Sequence, residues 1–159
     1  MNDNEDVPIR DAATVILLRE KKDSIYVLMG QRGNKAVFMP SKYVFPGGAV
    51  DENDSKVKLF KSIDENKIDL LHQYSKKKIA KELCVAAIRE LWEEAGLRLC
   101  AKVDDVGTIS PKWKDFCSGL YLPDASNLEY VFRAITPPGR PRRFDAWFFI
   151  CKAENVHGN

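Results

Sequence analysis

Three glutamates stand close together in a segment with strong helical periodicity. Residues 89–97 read RELWEEAGL, so Glu90, Glu93 and Glu94 fall at positions i, i+3 and i+4 and share one face of a helix. Like charges at that spacing repel one another, and a cation between the carboxylates would relieve the repulsion. Hard oxygen ligands suit Mg²⁺ or Mn²⁺ better than zinc. A solvated, glutamate-rich surface is the alternative that the three glutamates alone leave open.

A pair of adjacent glycines lies upstream of the glutamates. Residues 43–45 predict a brief strand, which we expect Pro46, Gly47 and Gly48 to end. Paired glycines allow unusual dihedral angles and close backbone approach, which a phosphate or metal site can use. A simple turn is the other interpretation of the pair. Glycines and glutamates together favour a metal or phosphate site.

The glutamate segment predicts a long helix over residues 78–95. Its opposite stripe is apolar and consists of Cys84, Ile88, Leu91 and Ala95, flanked by Val85 and Trp92. That stripe would bury against a sheet, while Ala86 and Ala87 leave room for another segment near the glutamates. Gly96 tolerates positive φ and is expected to end the helix.

Other apolar runs predict an α/β fold. Strands are expected at residues 12–18, 25–29 and 144–151, with shorter pieces in 97–103 and 106–109 and a short helix in 63–74. A polar turn at residues 21–24 would join the first two strands into a hairpin. Residues 111–114 are expected to form an exposed loop, and residues 1–9 a loose tail.

Composition excludes several classes of protein. A chain of 159 residues with 45% hydrophobic and 30% charged residues is expected to be one globular domain. The net charge of +2 gives no strong field for nucleic acid or an anionic membrane, and the lysines at 76–78 are interpreted as solvated surface. No apolar run approaches the ~18 residues of a membrane span, and the acidic start is unlike a signal peptide.

The cysteines indicate a reducing compartment. The chain has four, at widely spaced apolar positions: Cys84, Cys100, Cys117 and Cys151. Their spacing fits neither a zinc knuckle nor a secreted disulfide framework. We therefore expect free thiols in a cytoplasmic protein.

Gly48 and residues 89–97 together resemble the signature of the Nudix hydrolases. That pattern is Gly, five residues, Glu, seven residues, then Arg-Glu-U-x-Glu-Glu-x-Gly-U, in which U is a bulky aliphatic residue. The second half matches at every fixed position. In the first half Asp54 stands in place of Glu, with Asp51 and Glu52 as alternatives. An insertion of about 27 residues, placed within residues 51–80, separates the two halves.

A narrower resemblance is to the branch that contains the peroxisomal coenzyme A diphosphatases, whose members similarly carry a long insertion in the box. The similar segments are residues 31–32, 38–40, 44–48 and 136–145. The resemblance implies a single domain over residues 1–159, an α/β/α sandwich around a mixed sheet. It also implies metal-dependent hydrolysis of a nucleoside diphosphate linked to another group, first of all coenzyme A or acyl-CoA. ADP-ribose, a sugar nucleotide, a dinucleotide, or a non-catalytic nucleotide-binding module are the alternatives.

The resemblance assigns roles at the metal. Glu90, Glu93 and Glu94, with the Gly48 carbonyl, would hold Mg²⁺ or Mn²⁺. Arg89 would orient the carboxylates by bidentate hydrogen bonds, a geometry that lysine does not reproduce. Arg89, Glu90 and Glu93 are thus the expected catalytic residues, with Glu90 acting as a ligand or as the general base.

Substrate contacts form a second set of expectations. The candidates are Arg32, Gly47, Gly48, Arg142 and Arg143, for which solvated loop arginines are the alternative. Phe38, Tyr43 or Trp113 would stack on an adenine, although core or rim packing is favoured for each.

The C-terminal part of the expected domain is short. In Nudix domains the strand matching residues 144–151 is usually followed by a further strand or loop and a closing helix, whereas this sequence stops at Asn159. We therefore expect an exposed apolar surface near residues 147–151 and association, for example as a homodimer.

Overall fold

The computed structural model describes residues 7–34, 41–75 and 77–158. Over these ranges the strands are β1 (Ile9–Lys21), β2 (Ser24–Val27), β3 (Gly30–Gln31), β4 (Tyr43–Val44), β5 (Gly47–Ala49), β6 (Cys100–Lys102), β7 (Tyr121–Pro123), β8 (Glu129–Ile135) and β9 (Arg143–Lys152). The helices are α1 (Glu65–Gln73) and α2 (Ala80–Ala95), with 3₁₀ turns at Asp54–Lys56, Pro111–Trp113 and Ala153–Asn155.

The main sheet is mixed and is built around β1, as its long apolar run predicts. β1 pairs in parallel with β9, and β8 lies antiparallel on the far side of β9. The other edge of β1 carries β2 near one end and β5 near the other, both antiparallel. The predicted hairpin is confirmed, with Lys22 at φ 54° in its turn, although β2 ends at Val27 rather than at residue 29.

Helix α2 covers one face of this sheet with its predicted apolar stripe. Cys84, Ile88 and Leu91 are fully buried in the same core as Val15 and Phe149. Burial of one such large side chain contributes about 1.5–3 kcal/mol. The helix ends where predicted, because Gly96 adopts φ 68° and donates its N–H to the Trp92 carbonyl at 2.9 Å.

The predicted short helix forms α1, beside α2 on the same side of the sheet. Leu71 is buried in the core, and Lys67 donates to Glu129 of β8 at 2.5 Å. Arg133 of β8 donates to the Tyr74 carbonyl just beyond α1. Both helices of the described ranges therefore lie on one side of the mixed sheet, which confirms the α/β class.

The opposite face of the sheet carries exposed apolar side chains. Phe132 and Phe148 stack at 4.2 Å between ring centroids, and Phe132 is exposed. The exposed apolar surface predicted near residues 147–151 is found on this face only, where Phe148 and Ile150 are half-buried. Side chains alternate along a strand, so the other three residues point under α2 and are buried: Trp147, Phe149 and Cys151.

Several shorter predictions need correction. The brief strand forms as β4 and ends before Pro46 as predicted, but Gly47–Ala49 then forms a further strand, β5, against β1. The strand predicted in 97–103 is Cys100–Lys102, and residues 106–109 form no strand. Residues 111, 112 and 114 are exposed as predicted, whereas Trp113 is 5% exposed in a 3₁₀ turn and packs edge-on against Phe116. The ring of Trp113 is therefore buried in the core and shielded from solvent.

The four cysteines are buried and none forms a disulfide, as predicted. Burial raises the pKa of the Cys84 thiol to about 12 and that of Cys151 to about 11, so these thiols stay protonated at neutral pH. Within the described ranges, neither helix combines the length and the apolar character needed to cross a membrane.

Candidate active site

Arg89 is the centre of the candidate site. It lies in the last two turns of α2 and is only 5% exposed. Its Nε and Nη2 donate to the two carboxylate oxygens of Asp54, both at 3.1 Å, and Nη2 also donates to the Ala49 carbonyl of β5 at 2.8 Å. Burial opposes the charge of Arg89, but the bonds and charge of Asp54 outweigh it and raise the pKa of the guanidinium. Arg89 is therefore a fixed cation.

The remaining nitrogen of Arg89 reaches two of the three clustered glutamates. Nη1 donates to Glu90 Oε1 at 2.5 Å and to Glu93 Oε2 at 3.3 Å. One guanidinium thus joins the helix, the 3₁₀ turn of Asp54 and strand β5. Arg89 cannot rotate without breaking its two hydrogen bonds to Asp54, so its guanidinium holds the carboxylates of Glu90 and Glu93 in fixed positions.

Asp54 occupies the position that the sequence left open among three acidic residues. It is 1% exposed, and it also accepts the Asp51 N–H at 2.8 Å. Asp51 instead accepts a hydrogen bond from Lys112 Nζ at 3.0 Å, and Glu52 is exposed. Asp54 and Arg89 are distant in sequence but adjacent in space, because the 3₁₀ turn Asp54–Lys56 packs against α2.

The glycine pair lets β5 lie directly against the glutamates. A Cβ on Gly48 would fall 2.4 Å from Glu90 Oε1, and one on Gly47 would fall 2.5 Å from Thr14 Oγ1. The Gly47 N–H donates to Glu94 Oε2 at 3.1 Å. A side chain at either glycine would therefore force the neighbouring elements apart.

Glu90 differs electrostatically from its neighbours. Burial raises the pKa of Glu90, Arg89 opposes the rise, and the charges of Glu93 and Glu94 add to it. Its side chain is 14% exposed, against 42% for Glu93. A partly desolvated carboxylate beside two like charges suits either a cation ligand or a proton acceptor.

Comparisons with known proteins agree with this geometry. No protein-family model matches the chain. A Caenorhabditis elegans protein described as "Putative nudix hydrolase 7" is 29% identical over an alignment of 153 residues. The alignment covers 89% of this chain and 43% of that protein. The chain thus spans less than half the length of this relative. The crystal structure of a NUDIX hydrolase from Alicyclobacillus acidocaldarius superposes with a TM-score of 0.70 at 25% identity, covering 96% of this chain and 76% of that one.

The chain is similar to Nudix hydrolases in sequence and in fold. Its counterpart of the Nudix box is split, because α1 and its flanking turns lie between Asp54 and Arg89. The two hydrogen bonds from Arg89 to Asp54 bring the two halves of the box together in space. The fixed residues of the Nudix signature therefore meet at one place despite the insertion.

The Nudix glutamates have the donor chemistry for a hard cation, but they are not gathered around one point. Within the described ranges, no three Asp, Glu, His or Cys side chains converge closely enough to hold an ion. Glu90 and Glu93 accept hydrogen bonds from Arg89, and Glu94 accepts one from the Gly47 N–H. A cation would therefore compete with Arg89 for the carboxylates of Glu90, which lies beside Gly48, and Glu93.

A cavity of about 520 Å³ adjoins the Nudix glycines. Four of the five predicted substrate residues line it: Arg32, Gly47, Gly48 and Arg142. Arg143 is used differently, since its Nε donates to the Thr136 carbonyl at 3.2 Å and steadies the β8–β9 connection. Of the three aromatic candidates, Tyr43 lines this cavity, Trp113 lies in the core, and Phe38 is outside the described residues.

Two contributors to the site are absent from the sequence predictions. The Ala49 carbonyl binds Arg89, and Thr14 of β1 packs on Gly47. Neither residue type carries a chemical signal. Their roles follow from the pairing of β5 with β1, in which Thr14 stands opposite Gly47.

Proposed function

We propose that this chain is a metal-dependent hydrolase that cleaves the diphosphate bond of a nucleoside diphosphate linked to another group. The observation that carries the proposal is the buried Arg89–Asp54 pair, whose guanidinium also bonds Glu93 and Glu90, the latter beside Gly48. A purely structural ion pair has no need of two further carboxylates on the same guanidinium. Similarity to Nudix hydrolases supports the same reaction class.

The proposed roles follow from where each side chain lies. Arg89 is a positioning residue that orients Glu90 and Glu93. Glu90, Glu93 and Glu94, with the Gly48 carbonyl, would hold Mg²⁺ or Mn²⁺. Such an ion, when bound, neutralises phosphate charge and makes a water molecule a better nucleophile. Glu90 keeps two possible roles, as ligand or as general base, because its raised pKa suits proton transfer as well.

The substrate would lie in the cavity beside the glycines. Arg32 and Arg142 line this cavity and can bind phosphate oxygens, and Gly47 and Gly48 permit close approach. Coenzyme A or an acyl-CoA is our first choice of substrate, on the sequence resemblance of residues 31–48 and 136–145. ADP-ribose, a sugar nucleotide and a dinucleotide are the other members of the panel to be tested.

Two secondary proposals concern the setting of the protein. Buried free cysteines suit the reducing cytoplasm. The exposed apolar side chains of β8 favour self-association, and a homodimer is the simplest form.

The direct test is product release from coenzyme A, ADP-ribose and dinucleotides with Mg²⁺ or Mn²⁺. Glu93→Gln removes a carboxylate while keeping the size of the side chain, so we expect turnover of the preferred substrate to fall by about 100-fold or more. Glu65→Gln, at the exposed start of α1, is the matched control and should leave turnover unchanged. No turnover of any substrate, with nucleotide binding retained, would instead identify a non-catalytic binding module.

A further inference from the structure

Two cavities of similar size lie on either side of the ribbon formed by β3 and β4. The first, of about 520 Å³, adjoins Gly47 and Gly48, and the second, of about 540 Å³, contains Glu94. Met29, Arg32 and Val44 line both. Each volume falls within the range of about 300–1,000 Å³ that is usual for small-molecule sites. The two cavities therefore meet at Arg32.

The first cavity is apolar and opens onto the uncovered face of the main sheet. Its floor comes from three strands: Thr14 of β1, Ala146 and Phe148 of β9, and Ala134 of β8, which stands opposite Ala146. Phe132 extends the apolar floor by stacking on Phe148. Among the described residues that line this cavity none is acidic, and the cations are Arg32 and Arg142.

The second cavity is more polar. It is lined by Gln31, Arg32 and Glu94 and by backbone at Gly30 and Gly33. The Glu94 carboxylate also accepts the Gly47 N–H, so this cavity touches the carboxylate site from the other side. A ligand that lay across Gly47 and Gly48 would reach both cavities.

We propose that the first cavity prefers, over a sugar, a hydrocarbon group such as an alkyl chain or an unsubstituted ring at one end of the diphosphate. The diphosphate would lie over Gly47 and Gly48 beside Arg32, the hydrocarbon on Ala134 and Phe148, and the polar end in the second cavity. This inference rests on the proposed hydrolase function. Continuity of the apolar floor with the glycines, and two arginines facing an anionic diphosphate, place the hydrocarbon there. A sugar on that floor would lose hydrogen bonds to water and regain few from the protein.

The test compares two substrates that differ only at this end. One is the hexyl ester of adenosine 5′-diphosphate at the β-phosphate, and the other is ADP-ribose. Ala134→Asn and Phe148→Ala alter the floor, and Ile25→Ser alters a 68%-exposed isoleucine of β2 that lines neither cavity. We expect each floor variant to lower kcat/KM for the hexyl ester about tenfold or more, and for ADP-ribose by less than about twofold. Ile25→Ser should change neither value.

Equal losses for the two substrates in Ala134→Asn, a change at an exposed position and so the variant least able to disturb folding, would overturn the inference. So would a wild-type preference for ADP-ribose. If the wild-type protein cleaves neither substrate, binding of the methylene-bridged analogues of both, measured by calorimetry without metal, decides the question separately. A hexyl analogue that binds about tenfold more weakly to Ala134→Asn than to wild type would support the cavity assignment while the hydrolase proposal failed. Equal binding would overturn the assignment.

Discussion

The two faces of the main sheet are made by the same strands but have different surroundings. Val15, Trp147 and Phe149 point under α2 and are fully buried, whereas their neighbours Phe148 and Ile150 point the other way and are half-buried. The residue types on the two faces are alike. The two faces differ because both described helices cover the same side of the sheet and leave the other side open.

This difference separates stability from recognition. The covered face buries the large side chains, and α2, which covers it, carries the Nudix glutamates at its C-terminal end. The open face leaves apolar side chains available beside the glycines. Packing on one face therefore fixes the position of the carboxylates, while the other face is free to contact a ligand.

The sharpest test of the comparison uses two phenylalanines on opposite faces. Phe149→Ala empties a fully buried position of β9, so it should lower the free energy of unfolding by about 3–5 kcal/mol. Phe132→Ala, on exposed β8, should lower it by less than about 1 kcal/mol. Urea denaturation of both variants gives the two values. Equal losses would mean that the open face is buried in the native protein, for example by a second copy.

The next largest loss of stability is expected when the buried ion pair between Arg89 and Asp54 is broken. Asp54→Asn leaves the Arg89 guanidinium buried without its carboxylate, so we expect a loss of about 3 kcal/mol or more in the free energy of unfolding. Glu52→Gln, two residues away and exposed, should change it by less than about 0.5 kcal/mol. A larger effect at Glu52 than at Asp54 would show that the wrong acidic residue is assigned to Arg89.

The close approach of β5 to the glutamates predicts a smaller effect. Gly48→Ala places a methyl group against the Glu90 carboxylate, and overpacking of this kind costs about 1–3 kcal/mol. Gly30→Ala is the control, because no heavy atom lies within 4 Å of the added Cβ. Thermal unfolding should separate the two variants clearly. Equal melting temperatures would contradict the contact between β5 and Glu90.

The sequence predicts those parts of the fold that depend on local pattern. The apolar stripe of α2, the long apolar run of β1 and the aromatic run of β9 each have a clear period or length, and all three form as predicted. The glutamates share one face for the same local reason. Residues of weak local pattern are settled by tertiary packing, and the predictions of a strand at 106–109 and of an exposed Trp113 are wrong.

The partners of Arg89 could be predicted only in part. Helical spacing brings Glu93 to it, but Asp54 lies across the insertion and Ala49 contributes only a backbone carbonyl. The choice among three nearby acidic residues depends on which one the 3₁₀ turn buries. The use of Arg143 within the β8–β9 connection likewise depends on strand pairing, which the sequence does not specify.

The central claim is that Arg89 positions Glu90 and Glu93 for diphosphate hydrolysis, and Arg89→Lys tests it most directly. Lysine keeps the positive charge beside Asp54 but lacks the planar fork that bonds Asp54, Glu90 and Glu93 together. We predict a folded protein whose kcat on its preferred diphosphate substrate falls about 100-fold, with KM changed by less than about threefold. A kcat within about threefold of wild type would show that Arg89 serves only to balance charge, and would contradict the account.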